Sequence, residues 1–181
     1  MDSSLQTKYL EGLRLSKRWQ PKELIIRSPR SQQLTDNDIL KKLIEKNDVE
    51  SVKAFLMEYK HIIFHDDHFP LRYACRHGDS HISIIELLLS HKCSATACDN
   101  EAVIDAASRG HYHVVVVLGN NGANPKDQNY LAYFAAAYHG HLNILKYFVD
   151  KWGNPNKVGA GKIMANLPNN IDHEEVRKLI Y

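Results

Sequence analysis

Several things are scarce in this chain of 181 residues, and each scarcity excludes something. No apolar run approaches the ~20 residues that a membrane-spanning helix needs. The first residues, MDSSLQTKYLEGLRLSKRW, hold no apolar core of the kind a signal peptide carries, so an intracellular, cytoplasmic location is expected. Only three cysteines occur, Cys75, Cys93 and Cys98. Their number is odd and their spacing is not that of a disulfide framework, so they read as reduced thiols. Excess charge is scarce as well: 23 Lys and Arg face 21 Asp and Glu, a net +2, too little for a general nucleic-acid attractant. Catalytic signatures are missing too. There is no GxSxG elbow, no HExxH and no pair of CxxC motifs. Gly159-Ala160-Gly161-Lys162 lacks the spacing of a phosphate loop, and Ile163 stands where that loop needs Ser or Thr. Cys75 and His77 could pair on paper, but a buried Cys at a small-residue position is usually inert.

What is present is ordinary globular material, 44% apolar and 24% charged. Residues 1–35 differ from the rest, with seven basic residues against three acidic ones. Leu5, Tyr9, Leu13 and Trp19 predict one amphipathic helix ending near Pro21. This segment reads as a cap on the helical region C-terminal to it, or as a docking tail for an acidic partner or anionic surface. Eleven histidines raise the question of a metal, and His61, His65, Asp66, Asp67 and His68 are the best cluster. Zinc sites usually show recurring tight ligand pairs, which are absent here, so these read as solvated or turn histidines and no cofactor is expected.

From Thr35 onward the pattern is helical. Thr35 or Asp36 can cap a helix containing Ile39, Leu40, Leu43 and Ile44. Asn47-Asp48 breaks it, and Val49, Val52, Phe55, Leu56 and Tyr59 mark a second helix. One such pair cannot bury its apolar face alone, and the pattern recurs. Ala74-Cys75-Arg76-His77-Gly78-Asp79, Ala106-Ala107-Ser108-Arg109-Gly110-His111 and Ala136-Ala137-Tyr138-His139-Gly140-His141 share one design. Small residues let a first helix lie close to its neighbours, and Gly supplies the positive φ that ends it. The polar residue after Gly, His111 or His141, can bond back to backbone groups at the turn. Each segment is followed by an apolar helix: residues 84–89, 114–118 and 144–149. Asn121-Gly122-Ala123-Asn124-Pro125 and Gly153-Asn154-Pro155-Asn156 then form exit turns.

These segments resemble ankyrin repeats. Phe69-Pro70-Leu71-Arg72-Tyr73-Ala74-Cys75 is similar to the family's TPLHxAA start, Gly110-His111 and Gly140-His141 to its GH turn, and residues 121–125 to its GAD-x-N exit. The resemblance covers residues 36–181, and its period, close to 30, is similar to the short ankyrin arrays of giant viruses and amoeba-associated organisms. It implies an all-α solenoid of stacked helix–turn–helix pairs. A capping pair would span residues 36–66, full repeats 67–98, 99–127 and 128–158, and a partial closing repeat 159–181. Departures are visible. Ser80-His81 adds two residues to one turn, predicting a bulge. Lys92-Cys93 replaces Gly-Ala at one exit, leaving that exit less well defined. Gly119 stands where a large apolar residue is usual, predicting a loosely packed helix end.

Function follows from the same resemblance. Ankyrin arrays hold protein partners with the groove-facing ends of their first helices and with their hairpin tips. By position, the groove candidates are Arg76, His77, Ser108, Arg109, Tyr138 and His139. The tip candidates are His65, Asp66, Asp67 and His68, then Asp99, Asn100 and Glu101, then Asp127, Gln128, Asn129 and Tyr130, and these tips are net acidic. Arginine, histidine and tyrosine in one stripe suit an acidic or phosphorylated partner protein. The expectation is a monomeric, non-enzymatic adaptor. Recruitment to a membrane or nucleic acid through residues 1–35 is the alternative.

Overall fold

The structure, a computed structural model, describes residues 36–59 and 68–181. The predicted amphipathic helix of residues 1–35, with its role as cap or tail, lies outside the described residues, as do His61, His65, Asp66 and Asp67. Among the described residues there are ten α-helices and no strand. The chain divides into two compact units between Ile62 and Ile63.

The first unit contains one helix pair, α1 (Asp36–Glu45) and α2 (Val49–Glu58). Their apolar stripes are Leu40, Leu43 and Ile44 on α1 and Val52, Phe55 and Leu56 on α2, all shielded from solvent. The break between them has a physical basis. Asn47 takes a left-handed conformation, which Asn tolerates better than most residues. Asp48 then caps α2, its Oδ1 accepting the Ser51 N–H at 3.1 Å.

The second unit stacks four helix pairs. They are α3 (Phe69–Cys75) with α4 (Ile82–Ser90), α5 (Ala97–Arg109) with α6 (Tyr112–Asn120), α7 (Asp127–Tyr138) with α8 (Leu142–Trp152), and α9 (Lys157–Ala165) with α10 (His173–Ile180). First helices pack on first helices in an inner layer, and second helices cover them. The core is the seam between the layers. Ala106, Ala107, Ala136 and Ala137 keep the inner helices close, and Ile84, Val114, Ile144, Leu88, Leu118 and Phe148 fill the seam. Tyr133 is fully buried with its hydroxyl 2.9 Å from the Phe148 carbonyl and 2.8 Å from that of Gly153, so its one proton ties α7 to both α8 and the exit turn.

The rings of the turn histidines reach back to the turn of the preceding repeat. Gly110 ends α5 at φ 79°, and the ring of His141 lies directly over it. A Cβ at position 110 would sit 2.6 Å from His141 Cε1. His141 Nε2 meanwhile lies 3.1 Å from the Ser108 carbonyl. His111 covers Gly78 in the same way, and Ile171 takes the place of a histidine over Gly140. The one repeat with aspartate at this position reaches the other way. Asp79 Oδ1 accepts the Val114 N–H at 3.2 Å, and its Oδ2 is 2.7 Å from His113 Nδ1.

The other departures resolve individually. The two extra residues of the first turn form a 3-10 turn, Gly78–His81, with His81 tucked inside. The exit at Lys92-Cys93 closes like the one at Gly122-Ala123: Lys92 adopts φ 72°, and the Cys93 and Ala123 N–H groups each bond at 3.1 Å to the carbonyl five residues back. The expected loose end at Gly119 is absent. Trp152 from the next repeat fills it, so that a Cβ at 119 would lie 2.6 Å from Trp152 Cη2. Lys151 lies over the Trp152 ring at 4.7 Å and reaches Asn120 Oδ1 at 2.7 Å, which holds the ring there.

Candidate functional site

The ends of α3, α5 and α7 present Arg76, His77, Arg109, Tyr138 and His139 on one exposed face, with Ser108 half-buried among them. The first helices stack on one another, and Arg76, Ser108 and Tyr138 hold one position before the turn glycine while His77, Arg109 and His139 hold the next. Their chemistry is not that of a plain cationic stripe. Arg76 Nε bonds Asp105 Oδ2 at 2.6 Å and its Nη2 lies 3.4 Å from Glu101 Oε1. Arg72 Nη1 pairs with the same Glu101, and Arg109 Nε lies 3.4 Å from Asp105 Oδ1. The hydrogen bond to Asp105 raises the Arg76 pKa still further, so this guanidinium is charged at any working pH. Three guanidiniums thus share two carboxylates, and the surplus is a single positive charge.

Arg72 and Asp105 escape a reading of the sequence alone, and Glu101, a tip candidate there, turns out to be an ion-pair partner of both Arg72 and Arg76. The signal is present in the sequence: Arg72–Glu101 and Arg76–Asp105 both pair at a separation of 29, close to the repeat length. His77 stacks on His81 with ring centres 4.7 Å apart and meets Tyr73 edge-on at 5.0 Å. Tyr138 meets His139 edge-on at 5.1 Å and Phe134 at 5.4 Å. Leu131 and Phe134 do not stand out in the sequence either, although they share a helix face with Tyr138.

The tips are built by an unusual backbone. Cys98, Asp99 and Asn100 have φ of 48°, 54° and 65°, and Gln128, Asn129 and Tyr130 have 54°, 55° and 65°. Each run is a short left-handed turn of non-glycine residues, costing roughly 1–2 kcal/mol per residue. Side chains of the third residue in each run offset that cost. Asn100 was expected as an exposed tip residue but is only 3% exposed. Its Oδ1 accepts the Asn124 N–H at 2.8 Å and its Nδ2 donates to Asp127 Oδ2 at 2.6 Å. His68 does the equivalent work one repeat earlier, with its Nδ1 accepting the Ser94 N–H at 3.3 Å. Tyr130 is half-buried, its ring lying where a Cβ on Gly159 would be. Asp99, Gln128 and Asn129 do face solvent. Asp99, Asn100, Asp127 and Gln128, with Thr96, line a shallow notch of about 390 Å³ between the two tips.

The thiols are placed for packing. Cys75 and Cys93 are buried, and burial raises both pKa values, that of Cys93 to about 12. A protonated, enclosed thiol is a poor nucleophile, so the Cys75/His77 pairing has no chemical basis.

A family model of ankyrin repeats in three copies matches residues 31–129 and 71–159. The chain belongs to the ankyrin-repeat family. Arrays of this family are in general protein–protein interaction modules and are typically non-enzymatic. No curated protein matches the chain. The charged network and the aromatic strip of α7 both lie on the first helices of this array.

Proposed function

We propose that this ankyrin-repeat protein is a non-enzymatic adaptor that binds a partner protein along the face formed by α3, α5 and α7. The observation that carries this reading is the exposure of Arg76, Arg109 and Tyr138, three side chains of types that anchor interfaces, near the ends of consecutive inner helices. The network's surplus positive charge favours a partner rich in anionic groups, carboxylate or phosphate. The three free thiols fit a reducing, cytoplasmic setting, and we take the protein to act there as a monomer.

The test is affinity capture from cell lysate with mass spectrometry, on the whole chain. An Arg76/Arg109/Tyr138→Ala variant and a variant lacking residues 1–35 run beside it, each checked for helical content. A partner lost only with the triple variant supports the groove. A partner kept by the triple variant and lost with the truncation overturns the groove and moves the function to the basic segment.

A further inference from the structure

The chemistry of the inner face changes abruptly between α5 and α7. On α5, Glu101, Asp105 and Arg109 belong to the ion-pair network. On α7, no charged residue follows Asp127. Instead Leu131, Phe134 and Tyr138 recur at helical spacing on one side, and Leu131 and Tyr138 are 39% and 41% exposed. Every other large apolar residue of α5–α8 is better covered, and Val158 on the adjoining α9 is exposed as well. On α9, the next first helix of the layer, the charged residues are Lys157 and Lys162, both exposed. On the α5 side, Arg109 is engaged among the described residues only through Nε, at 3.4 Å, which leaves its terminal N–H groups available.

We propose that the Leu131–Phe134–Tyr138 strip with Arg109 at its edge receives an acidic peptide segment of the partner, which sets an apolar side chain on the strip and a carboxylate on Arg109. The proposal rests on the groove reading above and names the chemistry of its partner. Charge complementarity selects the occupant. Glu101 and Asp105 already neutralise two of the three guanidiniums, so the network has one unit of charge left, which a single carboxylate satisfies. A dianionic phosphate would face those two carboxylates as well, and like charges repel. The apolar strip adds what charge alone lacks: burying an aromatic side chain in a small interface supplies much of its binding energy.

The test is selection of displayed random 15-residue peptides, free of phosphate, on the full chain. Enriched sequences are then synthesised and measured by fluorescence anisotropy. The expected result is a consensus of Asp or Glu flanking Leu, Phe or Trp, with Kd weakened about tenfold or more by Tyr138→Ser and by Arg109→Gln. Both positions are exposed, and circular dichroism checks that each variant folds. Enriched peptides that lose binding with Arg76→Glu yet keep it with Tyr138→Ser overturn this proposal and leave the groove reading standing. Peptides indifferent to all three changes overturn both. The proposal also falls if tight binding requires phosphoserine in place of the carboxylates, if no peptide is enriched, or if the chain self-associates in sedimentation and Tyr138→Ser abolishes it.

Discussion

The imidazole of His141 occupies the space that a side chain at position 110 would need. Gly110 is therefore required twice, for its left-handed φ of 79° and for the ring above it. Gly110→Ala is expected to cost about 2–4 kcal/mol, from backbone strain and overpacking together. Gly122 has φ 96° with open space around it, so Gly122→Ala isolates the strain, about 1–2 kcal/mol. Urea denaturation of both variants measures the difference. Adding His141→Ala to Gly110→Ala should recover part of the loss; simple additivity would show that the ring contact is energetically empty.

Gly119 offers a prediction of opposite signs. It lies inside α6, where Ala is the better helix former by about 1 kcal/mol. Trp152 blocks that gain, so Gly119→Ala should destabilise the protein by about 1 kcal/mol in the natural background. In a Trp152→Ala background the same change should stabilise it by up to about 1 kcal/mol. Thermal melts of the four chains decide it, and a loss in both backgrounds would contradict the contact.

Asn100 holds a tip together while in a left-handed conformation. Asn100→Ala removes the bonds and keeps the strain; Asn100→Gly removes the bonds and relieves it. The Ala variant is expected to lose about 2–3 kcal/mol and the Gly variant about 1 kcal/mol less. Equal losses in denaturant titrations would mean that the backbone there is not left-handed in solution.

The buried thiols and Tyr133 make stability fall in alkali. Burial raises the pKa values of Cys75 and Cys93 above the ordinary thiol value of 9.0 and that of Tyr133 above the ordinary phenol value of 10.0. The unfolded chain therefore loses these protons first. Their contribution is complete below pH 9 and declines as pH rises through the folded values, about 12 for Cys93. Cys75→Ala, which restores the small residue of the other repeats, should flatten the slope above pH 9 in denaturant titrations run across that range. At neutral pH a thiol reagent should modify the half-buried Cys98 first and reach Cys75 and Cys93 only as the chain opens.

Much of this was legible in the sequence, because the repeat writes its own grammar. The helix pairs, the glycine turns and the small-residue faces follow from local patterns, and three copies in register make them hard to misread. The illegible part belongs to contacts between repeats. Trp152 over Gly119 and His141 over Gly110 are long-range fits that neither residue announces locally. The groove candidates Arg76 and Arg109 were visible as types; the pairing of Arg76 with Asp105 depends on the stacking offset, whereas Arg109 and Asp105 pair four residues apart on α5. Asn100 looked like a tip residue because polar residues at turns usually face water; here it satisfies a backbone N–H that the turn would otherwise orphan.

Each glycine turn is roofed by a side chain that arrives only with the following repeat: His111 over Gly78, His141 over Gly110, Ile171 over Gly140. The array therefore has a direction. During synthesis the roof of each turn is made after the turn itself, so the packing of a repeat is complete only once its successor has emerged. Losing the last turn would not merely shorten such a chain; it would unroof the repeat before it.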